Sequence, residues 1–310
     1  MKKLSFFILL VLQATILYAQ KFHIEWHRGH LLTHFTINAV TNAKVFLESG
    51  FSQLLIDKQF AEKHLKSNPN LKFTTENSSV ATWGTTKHIR TEGIVRGLIT
   101  INGKEIWING VLIDFSEQPD WKGLDMVFPI KDFNQPVYIN YQEHYLTLGI
   151  PQNEELKAFH CMLVDYDENT KGLYADGTLS IGNSPQKQEF LKGNFLFDLG
   201  DSNPVYLNRN HPEVEAFLVR TQDFLLKDTS KIGTHSVSDL AVLLPKKMQL
   251  GKLEQTDGNI VVMRIPITPS NQRYVGMIGN QFLEHCIIIF DFENRKMYFK
   301  SVSDKFKIYE

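Results

Sequence analysis

Cysteine is nearly absent from this sequence. Cys161 and Cys286 are the only two in 310 residues, so at most one disulfide can form and a cross-linked scaffold is excluded. Net charge is almost absent too, -1 at pH 7, which removes any global attraction to nucleic acid or to an anionic membrane surface. Also missing are a phosphate-cradling glycine loop, a nucleophile elbow, a zincin motif and a basic stripe interleaved with aromatics. None of these motifs therefore competes for the reading of the chain.

What is present begins with a leader. Met1-Lys2-Lys3 precedes an apolar run over 4–12 and then Leu17-Tyr18-Ala19-Gln20, the layout of a secretory signal peptide over 1–19 with cleavage after Ala19. The apolar run is shorter than the roughly 20 residues of a spanning helix, and no cysteine follows it to carry a lipid. The expectation is an exported protein, periplasmic or extracellular, without stable membrane insertion. The remainder is long enough for two domains, each with its own core. Twenty-two phenylalanines and abundant β-branched residues, in short segments punctuated by 19 glycines and 11 prolines, lean toward β structure. Cys161 and Cys286 both lie in apolar strand-like runs and are expected as buried free thiols, a single cross-link being the other possibility.

The stretch 22–37 reads as a hairpin turning at His27-Arg28-Gly29-His30. His23, His27, His30 and His34 would line one face of a helix as metal ligands, but the Arg-Gly pair breaks that helix; solvated histidines and no metal site are expected. A helical patch over 58–65 follows, then Val80-Ala81-Thr82-Trp83-Gly84-Thr85-Thr86-Lys87-His88-Ile89, read as a projecting hairpin about its glycine. Strands over 91–101 and 105–113 are joined by Asn102-Gly103, one of the strongest hairpin signals. The connector Ile150-Pro151-Gln152-Asn153-Glu154-Glu155 marks a boundary between an N-terminal half, 20–150, and a C-terminal half, 151–310.

Each half contains an apolar strand that drives into an acid and a glycine: Val45-Phe46-Leu47-Glu48-Ser49-Gly50 in the first, Phe195-Leu196-Phe197-Asp198-Leu199-Gly200 in the second. Each half also closes on a hairpin, and the two hairpins align without a gap, Ile139-Asn140-Tyr141-Gln142-Glu143-His144 against Phe290-Asp291-Phe292-Glu293-Asn294-Arg295. One match of period two is weak, but two matched pairs in the same order point to internal duplication.

These residues resemble the bilobal pepsin- and retropepsin-like aspartic peptidases, in particular the aspartyl protease-like proteins that bacteria export. The resemblance implies an all-β, two-lobed acid-protease fold, with internally duplicated β-barrel-like lobes about an interlobe cleft. It implies Glu48 and Asp198 as a catalytic carboxylate pair that activates water, supported by the loops of Ser49, Gly50, Leu199 and Gly200. Two carboxyls in hydrogen-bond reach cannot both ionise, so one keeps a proton while the other serves as base. Trp83, Gly84 and Thr85 would form a flap over the substrate, and Met277-Ile278-Gly279 the strand beneath Asp198. No cofactor is implied; the partner is a peptide or unfolded protein, and the chain is expected to be a monomer. Four positions depart from the family pattern: Glu48 replaces an aspartate, Leu199 lacks a hydroxyl, Asp201 adds a third acid, and Trp121-Lys122-Gly123 stands where the first supporting strand is expected. Two functional readings stay open, a working peptidase and a homologue that binds peptides or a partner protein in the cleft without cutting them; a scaffold without a cleft ligand is the third.

Overall fold

The computed structural model describes residues 21–310 except 28, 39, 77–78, 82–87, 119–120, 169–171, 183–187, 222–224, 227–240, 244–246, 252, 257–259, 264–272, 305 and 309–310. The leader over 1–19 therefore lies outside the described residues. Strands dominate, because alternating sequences bury every second side chain. Along Gly93–Ile101, Val95, Ile99 and Ile101 point into the core while Arg96 stays exposed. That strand turns onto Lys104–Ile113 through Asn102 and Gly103, both at positive φ (49 and 83°), the backbone a two-residue hairpin requires. Among the described residues no helix is long and apolar enough to cross a membrane.

The duplication is visible as topology. In the first half the strand Val40–Glu48 runs parallel to Met126–Pro129, which runs antiparallel to Leu54–Asp57, which runs parallel to Lys104–Ile113. In the second half Glu189–Phe197 runs parallel to Gly276–Ile278, antiparallel in turn to Val205–Asn208, which runs parallel to Ile260–Met263. Strand polarity and order agree throughout. In both copies a strand from much later in the chain is inserted between the one that enters the acid turn and the one that leaves it. The acid turn is thereby spread open, with its backbone pinned on both sides.

The closing hairpins join the halves. Val137–Asn140 pairs antiparallel with Cys286–Asp291, and Tyr138 faces Ile289. Those two residues are equivalent in the gapless alignment, so the local twofold axis passes between them. The hairpin turns are copies as well: His144 and Arg295 both adopt positive φ (54 and 52°), and Asn140 Oδ1 and Asp291 Oδ1 accept from the N–H three residues on. Phe22–His27 flanks one hairpin and His160–Leu163 the other, so six strands bridge the halves. The main core runs continuously beneath them, from Phe35 and Phe128 to Phe197, Phe290 and Phe299.

Two expectations need correction. Cys161 is exposed, not buried, because it sits on the edge strand His160–Leu163 where only Met162 turns inward. Cys286 is buried and free, and burial pushes its thiol up to about 12. The four histidines lie on the hairpin strands, as their spacing about Arg28-Gly29 predicts. His23 and His34 are exposed, but His30 is partly buried, its ring 5.0 Å from that of Phe46.

Candidate active site

Glu48 and Asp198 end equivalent strands, and the bridging sheet brings the two ends together. Glu48 pairs with Pro129 in the parallel ladder, and Asp198 N donates to Ile278 O at 2.9 Å. The two side chains are hydrogen-bonded to each other across the halves. Glycine makes that approach possible. A Cβ on Gly50 would lie 2.6–2.8 Å from the carboxyl atoms of Asp198, and a Cβ on Gly200 would overlap the carboxyl of Glu48. Each lobe's glycine thus clears space for the other lobe's acid.

Backbone N–H groups cradle the pair. Gly200 N donates to Asp198 Oδ1 at 2.8 Å, Ser49 N to Glu48 Oε2 at 2.9 Å, and Gly50 N–H serves both acids. Burial pushes the Glu48 carboxyl well above its ordinary range; the negative charge of Asp198 and the hydrogen bond to it push further the same way. Burial also raises Asp198, while the bonds from Glu48, Gly200 and Gly50 hold it back. Of the two carboxyls, that of Glu48 is accordingly the one pushed further toward its protonated form.

Of the residues in the two acid loops, Ser49 sends a side-chain hydroxyl across to the other lobe. Its Oγ donates to Phe197 O at 3.0 Å and accepts from Leu199 N at 2.9 Å. Leu199, fully buried, returns only a hydrocarbon contact to the core. The longer side chain of Glu48 lets its carboxylate accept from Ser49 N within its own loop.

Asp201 stands close by, 6% exposed. Its Oδ1 accepts from Asn203 N (2.8 Å) and Nδ2 (3.0 Å), whereas Oδ2 has no hydrogen-bond partner among the described residues. Burial, then the charge of Asp198, raise its carboxyl well above the usual range. A carboxyl raised on folding contributes stability that is present below its unfolded value and lost as pH rises through the folded one. Asp201→Asn is therefore expected to raise the thermal unfolding midpoint at pH 7 by a few degrees and to leave it unchanged at pH 4; equal shifts at both would rule out ionisation as the cause.

The sheet face that carries the acids also carries two apolar floors. Phe46 and Leu196 sit two residues before their acids and so share their face. Phe46 packs with Leu55, Val127, Phe115 and Trp121, and with Val80 and Ile89 from the hairpin Ser79–Ala81/His88–Arg90. Leu196 packs with Met277 and three tyrosines, Tyr174, Tyr206 and Tyr274.

Of the residues picked out in the sequence, the structure brings together Glu48, Ser49, Gly50, Asp198, Leu199 and Gly200. Trp83, Gly84 and Thr85 lie outside the described residues, although the strands that lead to them form the expected hairpin. Met277-Ile278-Gly279 supports Asp198 as expected. In the first half the expectation fails: Trp121-Lys122-Gly123 is a turn, with Leu124 N bonded to Trp121 O, and the supporting strand is Met126–Pro129. Proline there occupies the place of Gly279. The signal that could have found it is the apolar quartet Met126-Val127-Phe128-Pro129, copied later as Gly276-Met277-Ile278-Gly279. Asn280, Tyr141 and Gly29, which meet against the loop that follows Asp198, had no local signal.

No family model matches the chain, and no curated protein does. Among solved structures it is similar to an aspartic proteinase from Irpex lacteus, with a TM-score of 0.59 and 11% sequence identity, over 92% of this chain and 98% of that one. Identity that low speaks to the fold alone: the chain has the all-β, two-lobed acid-protease fold.

Proposed function

We propose that this chain is an exported peptidase in which Glu48 and Asp198 hydrolyse peptide bonds through one shared water. The reading rests above all on the reciprocal glycines, because space cleared for a carboxyl from the opposite lobe serves no purpose in an inert scaffold. Asp198 takes a proton from the water as it attacks the peptide carbonyl, and Glu48 gives its proton to the carbonyl oxygen. Collapse of the tetrahedral intermediate returns a proton to the leaving nitrogen. The lobes are 20–150 and 151–310, with the leader over 1–19 removed on export to the periplasm or the exterior, and the working unit is a monomer.

The substrate is an extended peptide or unfolded protein. Its apolar side chains on the two sides of the cut rest on the Phe46 floor and on the tyrosine-rich Leu196 floor, beneath a flap that carries Trp83, Gly84 and Thr85. Catalysis needs one proton on the pair, so the rate falls at low pH as Asp198 protonates and at high pH as Glu48 loses its proton. Because the Glu48 carboxyl is raised, the alkaline limb lies above that of an ordinary carboxylic acid. The test is incubation of the mature protein with an unfolded protein from acidic to neutral pH, with cut sites read by mass spectrometry beside an Asp198→Ala control. Cuts between apolar residues, absent in the control, are expected; cuts that persist in the control would remove the mechanism. Leu199, with no hydroxyl to offer, favours the second reading, binding in the cleft without cleavage. It would be signalled by a peptide that binds intact and by cleavage gained in Glu48→Asp/Leu199→Thr.

A further inference from the structure

Asn280 is fully buried against the loop that follows Asp198, at the start of the short helix Asn280–Leu283. Its side-chain amide and its backbone N–H are all hydrogen-bonded. Nδ2 donates to Leu199 O at 2.5 Å and to Gly29 O at 3.3 Å, Oδ1 accepts from the Tyr141 hydroxyl at 3.1 Å, and its backbone N donates to Asp201 O at 2.8 Å. Tyr141 and Gly29 come from the first lobe; Leu199, Asp201 and Asn280 belong to the second. Tyr141 is itself buried, with its ring 5.7 Å from that of Trp26, and burial holds its hydroxyl well above the usual phenol range, so it remains a donor. Gly29 is pressed against Ser202, where a Cβ would overlap the serine.

The peptide groups of Leu199 are therefore gripped from both sides. Its N–H is held by Ser49 and its carbonyl by Asn280, which Tyr141 locks in place. The equivalent position in the first lobe differs: Ile130, which follows Pro129 as Asn280 follows Gly279, has no polar side-chain atom. The asymmetry matches that of the acid loops. Ser49 sends a hydroxyl across to the Asp198 loop and Leu199 sends none back, so half of the cross-lobe bracing has to come from elsewhere.

We propose that Asn280, locked by Tyr141, is a positioning residue that holds the Asp198 loop against the first lobe in place of the hydroxyl that Leu199 lacks. This rests on the reading of Asp198 as a catalytic base. Misplacing a catalytic group by about 1 Å lowers the rate about 100-fold. Asn280→Leu is therefore expected to lower kcat about 100-fold, and the gentler Tyr141→Phe about 10-fold, with KM little changed in either.

The experiment compares the parent, Tyr141→Phe, Asn280→Leu and Tyr141→Phe/Leu199→Thr. It follows kcat and KM on an unfolded protein and, independently of turnover, the titration of the Glu48 carboxyl by carbon-13 NMR. Loosening the Asp198 loop draws its charge away from Glu48, so the Glu48 midpoint is expected to fall in Tyr141→Phe and to return toward the parent value when Leu199→Thr supplies a hydroxyl. If the parent proves to cleave nothing, the peptidase reading fails, and the titration still decides the brace. A Glu48 midpoint and kcat at parent values in Tyr141→Phe would overturn the proposal, as would a fallen midpoint that Leu199→Thr does not restore.

Discussion

Asp198→Asn is expected to lower peptide hydrolysis about 10⁴-fold, the upper end of what a positioned proton-transfer group supplies, and to leave the fold intact. Asparagine keeps the shape of the side chain, and its oxygen can still accept from Gly200 N, which lies 2.8 Å from Asp198 Oδ1. What disappears is the carboxylate that the proposed mechanism uses as its base. The substitution also removes an acid that burial disfavours in its charged form, so the unfolding midpoint at neutral pH should hold or rise. Steady-state rates on an unfolded protein, taken beside circular dichroism melts, separate the two effects. A loss of activity that merely tracks a loss of folded protein would remove Asp198 from the chemistry, and so would retention of the parent rate.

Gly50→Ala is expected to lower kcat about 100-fold without lowering the amount of folded protein, the second-largest effect the site predicts. Gly50 does not sit at positive φ, so alanine brings no backbone strain there. The new methyl carbon would instead start 2.6 Å from Asp198 Cγ, closer than nonbonded carbons come, and the carboxyl would have to swing off its bond to Gly200 N. Gly200→Ala makes the reciprocal intrusion on Glu48. Because both changes disturb one hydrogen-bonded pair, their combined effect should fall well short of the product of the two. A Gly50→Ala protein with parent kcat would mean that the carboxyls need not meet for catalysis.

Much of this arrangement is local and therefore readable from residue order. An apolar strand that ends in an acid and a glycine, a hairpin marked by Asn102-Gly103, and two closing hairpins whose polar and apolar positions coincide each carry their own period or turn chemistry. Their structural counterparts match down to the paired positive-φ residues His144 and Arg295. The rest depends on pairings between distant segments. Met126–Pro129 becomes the strand beneath Glu48 through a parallel ladder with Val40–Glu48, and proline at its end hides the likeness to Ile278-Gly279. The brace of Asn280 spans 139 positions to Tyr141 and 251 to Gly29, distances over which no sequence period survives. Cys161 looked like a core residue because its run is apolar. Its strand is an edge, and the pleat turns it outward beside Leu163, which is 75% exposed.

The claim that the two lobes contribute one carboxyl each to a single coupled site can be measured without any substrate. The titration of the Glu48 carboxyl, followed by carbon-13 NMR in the parent and in Asp198→Asn, reads the coupling directly. The charge of Asp198 helps to raise Glu48, so the midpoint should lie above the ordinary carboxylic range in the parent and move down when that charge is removed. A Glu48 midpoint that is the same in both proteins would contradict a shared site.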